Sequence, residues 1–208
     1  MEAAIITARG VQVDLGGHPV LRGVDLEVAA GQIVAVAGEN GAGKSTLLRC
    51  LAGLADPAQG VIEVLAGAPV DAPEFWRQVA MLGDEPAWYP GVSVAEHLEL
   101  MASVHGGGRM SAGAALEAFA LGGRAAMHPL TLSTGQRQRL ALAMTLLRPS
   151  RLLLLDEPER GLDSGFKTAL AGLLSAYADE GGAVVMATHD LGLAAACGAR
   201  VHTLEASW

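Results

Sequence analysis

The sequence predicts an α/β fold built on a mainly parallel, buried sheet, with a helical segment inserted into it. Two observations carry this. Continuously apolar runs bounded by turn residues, IVAVAG (33–38), LLLLD (152–156) and AVVMA (183–187), read as strands covered on both faces, and a helical stretch from Ser164 to Ala178 separates the last two. Between the first of these strands and the others, helical periodicity dominates. With 208 residues and 51% hydrophobic content, the chain is long enough for one well-buried unit and too short for two large ones. Residues 1–208 are therefore read as a single domain, with a helical subdomain at about 90–148 inserted in the α/β core.

In chain order, AAIITA (3–8), VQVDL (11–15) and VDLEV (24–28) open as strands, with Gly16-Gly17 and Gly31 as breaks. An apolar helical pattern, LLRCLAGL (47–54), follows the strand at 33–38. Helices are expected from about Val94 to Met101, Ala112 to Leu121 and Ser133 to Leu147, separated by Gly106-Gly107-Gly108 and by Pro129.

Charge and cysteine usage exclude several functions. A net charge of −8 leaves no basic surface to neutralise a phosphate backbone, so no nucleic-acid partner is expected. Cys50 and Cys197 belong to no CxxC or Cys/His cluster, which fits packing residues in a reducing compartment and argues against a zinc site. The N-terminus lacks a basic region followed by a long apolar stretch, and no run of 18 apolar residues occurs. The protein is expected in the cytoplasm, free or held at a membrane by another component.

Residues 38–46, GENGAGKST, fit G-x-x-x-x-G-K-[ST] and lie between an apolar strand and a helical pattern, the context this phosphate-binding loop requires. The backbone of Gly38, Glu39, Asn40, Gly41, Ala42 and Gly43 can wrap phosphates, Lys44 can neutralise the β and γ phosphates, and the hydroxyl of Ser45 can ligate Mg²⁺, with Thr46 opening the helix. The chain has 27 glycines but only two lysines, so the pattern is not a by-product of glycine content. LLLLD ends in Asp156-Glu157, two carboxylates at the edge where open α/β sheets bind ligands; Asp156 can hold the Mg²⁺ shell and Glu157 can polarise an attacking water. Taken alone, acids at a strand end are as often solvated turn residues. His189, in ATHD, follows the next strand and would reach the same edge to contact a γ-phosphate. LSTGQ (132–136) opens a helix whose free N–H groups and dipole suit an anion, although an ordinary capped core helix would read the same way.

Together these elements resemble the ATP-binding subunit of ABC transporters. GENGAGKST is similar to its Walker A, LSTGQ to its signature motif, LLLLDEP to its Walker B and following glutamate, GLD (161–163) to its D-loop, and ATHD to its switch-histidine loop. Order and spacing agree over essentially the whole chain. The resemblance implies a phosphate-loop NTPase core with an N-terminal antiparallel β subdomain. It also implies Mg²⁺-dependent ATP hydrolysis by a head-to-tail dimer of this chain with itself or a related subunit. In that dimer, Ser133, Thr134, Gly135 and Gln136 of one subunit close over the ATP held by the other, with Asp163 in the D-loop between. A separate transmembrane permease would hold the subunit at the inner face of the cell membrane. The rival readings are a soluble ATPase of the same family and a nucleotide-gated assembly scaffold. The absence of a coiled-coil insertion and of a basic surface argues against the first, and the retention of Lys44, Glu157 and His189 against the second.

Two positions depart from the family pattern. Leu15 falls where an aromatic residue usually stacks on adenine, with His18 three residues on as a possible substitute. Asp84 takes the place of the glutamine that touches Mg²⁺ and the attacking water, or Glu85 does by a one-residue shift; either way an amide has become a carboxylate. Of three Phe, three Trp and two Tyr, four fall within residues 75–89: Phe75, Trp76, Trp88 and Tyr89. They flank the loop at which the family receives its permease, and Trp88 or Tyr89 is expected to be partly exposed.

Overall fold

A five-stranded sheet separates two apolar cores. In the computed structural model, which describes residues 4–83, 86 and 88–205, β1 (Ala4–Leu15) and β2 (His18–Ala29) form a hairpin, followed by β3 (Ile33–Ala37) and α1 (Lys44–Leu51). β4 (Gln59–Val64), α2 (Pro73–Trp76) and β5 (Val79–Leu82) come next, then α3 (Val94–Val104), α4 (Ala112–Ala118) and α5 (Thr134–Leu146). The chain continues through β6 (Leu152–Asp156), α6 (Ser164–Asp179), β7 (Ala183–Ala187), α7 (Leu191–Ala196) and β8 (Arg200–Thr203). Strand order is β5-β6-β7-β3-β8, all parallel, and a second, antiparallel sheet has the order β2-β1-β4.

The pleat of the central strands partitions their side chains. Leu153, Leu155, Val184, Met186, Ile33 and Ala35 face a core shared with α3 to α7. Leu152, Leu154, Val185, Val34 and Val36 face a core shared with α1 and the antiparallel sheet. Cover on both faces is why these strands are apolar at every position.

The antiparallel pairing and the helices between β5 and β6 agree with the expected architecture, with local differences. The two strands expected at 3–8 and 11–15 are joined in one, Ala4–Leu15, because Gly10 takes φ +58 and its N–H donates to Asp25 Oδ1 at 2.7 Å, carrying β1 past an irregularity in register while it stays paired with β2. The helix expected to reach Leu121 stops at Ala118, and Ala120 turns to φ +54. Ser133 and Leu147 cap α5, one residue outside each end.

Candidate functional site

β6, β7 and β3 are adjacent and parallel, so the loops leaving their carboxyl ends emerge along one edge. The first runs from Gly38 to Gly43 into α1. Gly43 caps that helix at φ +88, and a Cβ there would lie 2.6 Å from Leu21 Cδ2 and 3.0 Å from the Val20 carbonyl oxygen, so only glycine lets the loop lie against β2. Lys44 is 7% exposed, and its ammonium donates to the Gly38 and Glu39 carbonyls at 2.9 and 3.0 Å. Glu39, Asn40, Gly41 and Ser45 are exposed, Ala42 is buried, and Thr46 is half-buried. No acidic residue stands in the first turn of α1, which leaves its dipole open to an anion.

Asp156 is buried at the last position of β6. Glu157, immediately after, holds φ +45, a left-handed conformation unusual for a side-chain-bearing residue. Three contacts fix it there: its N–H donates to the Ala187 carbonyl at 2.9 Å, and its own carbonyl accepts from the Arg160 N–H at 3.1 Å and from Gln138 Nε2 at 3.2 Å. The carboxylate Oε1 lies 3.7 Å from His189 Nε2, both side chains being more than a third exposed. Lys44, Ser45, Thr46, Asn40, Glu157 and His189 share a cleft of ≈ 380 Å³. Leu15, 55% exposed at the hairpin tip, also lines it, whereas His18, its register partner, does not. A larger cleft of ≈ 520 Å³, between residues 20–25 and 202–205, contains neither Lys44 nor Glu157, so the chemistry belongs to the smaller one.

Ser133, Thr134, Gly135 and Gln136 do not line that cleft. Ser133 and Gln136 form a reciprocal cap: Ser133 Oγ accepts from the Gln136 N–H at 3.2 Å, and Gln136 Oε1 from the Ser133 N–H at 3.0 Å. Asp163 caps α6 by accepting from the Phe166 N–H at 2.9 Å and pairs with Arg139, and these contacts, the cap first, hold its carboxyl below its ordinary value. Arg139 also lies over the Phe166 ring, 4.2 Å from its centroid. Asp84 and Glu85 lie outside the described residues.

Sequence reasoning missed Gln138, Arg139, Glu159, Thr188 and Lys167, whose contacts span long separations. It placed the aromatic group correctly in one respect: Tyr89 is 51% exposed, Trp76 and Trp88 are half-buried, and Phe75 is buried. Trp88 and Tyr89 both pack on the buried His97, ring centroids 5.8 Å apart in each case, and the Tyr89 N–H donates to His97 Nε2 at 3.0 Å. Beside them a groove of ≈ 250 Å³ is lined by Met81, Tyr89, Met101, Met144 and Arg148, among others.

Residues 21–160 match the family model described as ABC transporter. The chain belongs to the ABC transporter family. It is 41% identical over 202 residues to the aliphatic sulfonates import ATP-binding protein SsuB 2 of Pseudomonas fluorescens, covering 96% of this chain and 73% of that one. It is 39% identical over 191 residues to the cytochrome c biogenesis ATP-binding export protein CcmA of Rhodopseudomonas palustris, covering 91% and 94%. A dimeric ATP-binding cassette in a post-hydrolysis state, bound to ADP and phosphate, superposes with a TM-score of 0.83 at 26% identity, over 98% of this chain and 97% of that one. An ATP-binding subunit of an ABC transporter gives 0.80 at 29% identity, over 91% and 81%. As an ABC transporter subunit of this kind the chain binds ATP and is an ATPase, on the parallel-sheet fold described above. Among the described residues, no helix is long and apolar enough to cross a membrane.

Proposed function

We propose that this chain is the Mg²⁺-dependent motor of a transporter, cycling between open and ATP-closed dimers and coupled to a separate permease. The observation that carries the proposal is the division of the motifs into two surfaces. Lys44, Ser45, Glu157 and His189 share one cleft, while the capped helix start at Ser133 to Gln136 lies outside it, with Ser133 and Thr134 exposed and Gly135 and Gln136 half-buried. A second copy, placed head to tail, supplies the missing wall over each ATP, with Asp163 in the loop between. A dimeric cassette with ADP and phosphate among the similar structures supports that arrangement.

Each group in the cleft has a task. The loop N–H groups and Lys44 hold the β and γ phosphates; the ammonium already lies against loop carbonyls and is turned inward. Ser45 and the buried Asp156 fit a hard oxygen-ligand set for Mg²⁺, which supplies charge neutralisation on the phosphates when bound. Asp84 is proposed as a further metal and water contact from the resemblance alone. Glu157 accepts the hydrogen bond of the attacking water and orients it in line, and His189 donates toward the γ-phosphate. Leu15 offers an apolar surface to the base in place of an aromatic ring. The groove beside Tyr89 receives the permease, which holds the subunit at the inner face of the cell membrane. Similarity runs to an import and an export subunit alike, so the cargo is left to the permease.

Glu157→Gln tests the reading. With Mg²⁺ and ATP the variant should bind nucleotide, fail to hydrolyse it and elute as a dimer on size-exclusion chromatography. A monomer, or turnover at the wild-type rate, overturns the assignment.

A further inference from the structure

Glu159 lies two residues beyond Glu157 and does not line the cleft. Its Oε1 accepts two hydrogen bonds from the loop that carries His189: one from Thr188 Oγ1 at 2.6 Å and one from the His189 main-chain N–H at 3.1 Å. Thr188 is fully buried, and its hydroxyl in turn accepts from the Asp190 N–H at 2.9 Å. Asp190 caps α7 and pairs with Lys167 of α6 at 2.8 Å. Together with the Glu157 N–H on the Ala187 carbonyl, these contacts join residues 187–189 to Glu157 and Glu159.

We infer that Glu159 is a positioning residue for hydrolysis: its carboxylate fixes the His189 main chain to the segment bearing Glu157 and so sets the approach of those two side chains. The asymmetry of the carboxylate argues for geometry over stability. One oxygen takes two donors, while Oε2 is enclosed without a protein donor among the described residues, an arrangement that costs desolvation. The backbone N–H of His189 is the group it holds, and a main-chain anchor restricts the side chain's origin without competing for the imidazole. Because Glu157 sits in a left-handed conformation at the start of the same turn, a shift of either loop changes their 3.7 Å separation directly.

The inference rests on the roles proposed for Glu157 and His189, and the experiment separates the two. ATP hydrolysis is measured for the wild type, E159A, E159Q, T188V, E157Q and H189A, with a thermal melt of each. E159A should lower kcat about ten-fold or more while KM stays within about two-fold, and E159Q, whose amide oxygen can accept the same two donors, should recover most of the loss. T188V removes one donor and keeps the carboxylate, so it should lower kcat less, again at unchanged KM; it serves as the test if E159A does not melt cooperatively. Wild-type kcat in E159A or in T188V, a loss confined to KM, or E159Q as poor as E159A overturns the inference. Loss of turnover in E157Q and H189A beside an unaffected E159A sinks this inference alone, whereas wild-type turnover in E157Q and H189A sinks the site reading and this inference with it.

Discussion

Gln138 and Glu157 are joined across two elements: the side-chain amide of Gln138, on α5, donates to the main-chain carbonyl of Glu157 at 3.2 Å and to that of Pro158 at the same distance. The helix that LSTGQ opens is thereby attached to the turn that carries the proposed water-orienting carboxylate. Gly135 makes the attachment close, since a Cβ there would fall 2.4 Å from the Gly161 carbonyl oxygen, and Arg139 pairs with Asp163 further along. These contacts tie the signature end of α5 to the segment from Glu157 to Asp163.

Gln138→Leu should show the consequence. Two hydrogen bonds to carbonyls are lost, together about 1–3 kcal/mol of stability at ordinary net values. Hydrolysis should fall while ATP binding persists, because the left-handed turn at Glu157 loses its one side-chain anchor. Chemical denaturation, an ATP titration and a turnover assay check this together, and undiminished kcat in a destabilised variant contradicts it.

The same turn stores strain that can be released. A non-glycine residue in the left-handed region costs of order 1–3 kcal/mol, part of which glycine returns through its loss of backbone entropy on folding. Glu157→Gly should therefore hydrolyse no ATP yet melt at or above the temperature of Glu157→Gln, which keeps the Cβ and the strain. A glycine variant that melts below the glutamine variant would mean that φ +45 is not strained in this setting.

Much of this was legible in the sequence, for identifiable reasons. The buried strands at 33–37, 152–156 and 183–187 were readable because cover on both faces forces an unbroken apolar run, and GENGAGKST because a phosphate loop needs glycine, lysine and hydroxyl at fixed spacing. β4, β5 and β8 were not, since Gln59–Val64, Val79–Leu82 and Arg200–Thr203 are short edge strands with little periodicity to detect. Gln138 and Glu159 were missed because their partners are 19 to 30 residues away and no local pattern records a side chain that serves another residue's backbone. The Asp190 cap, by contrast, had a local signal in the Asp immediately before LGLAAA.

Leu15 gives a prediction about nucleotide affinity. It lines the same cleft as the phosphate loop with 55% of its surface exposed, so an aromatic ring placed there has room to lie on a base. Stacking of a base on an aromatic side chain is worth roughly 1–3 kcal/mol in single-stranded nucleic-acid sites, so Leu15→Tyr should tighten ATP binding several-fold. Equal affinities in a binding titration would show that the base lies elsewhere.

Acid should weaken the Asp190–Lys167 pair. The Lys167 ammonium, followed by the Leu193 N–H, holds the Asp190 carboxyl below its ordinary value. A depressed folded-state pKa means that the unfolded chain takes up the proton first. The resulting stabilisation is therefore fully present above the ordinary aspartate value near pH 4, and is lost as pH falls from there through the folded-state value. Asp190→Asn separates the ion pair from the cap, because asparagine also accepts the helix N–H but carries no charge. The wild type should melt above this variant at neutral pH, and the gap should close between about pH 4 and the acid limit of folding. Below the folded-state value the protonated aspartate and the asparagine present nearly the same groups to Lys167 and Leu193. Melts taken at half-unit steps from pH 7 downward measure the gap. One that stays constant or widens would show that Asp190 acts through its cap alone, and that Lys167 contributes nothing to holding the loop behind His189.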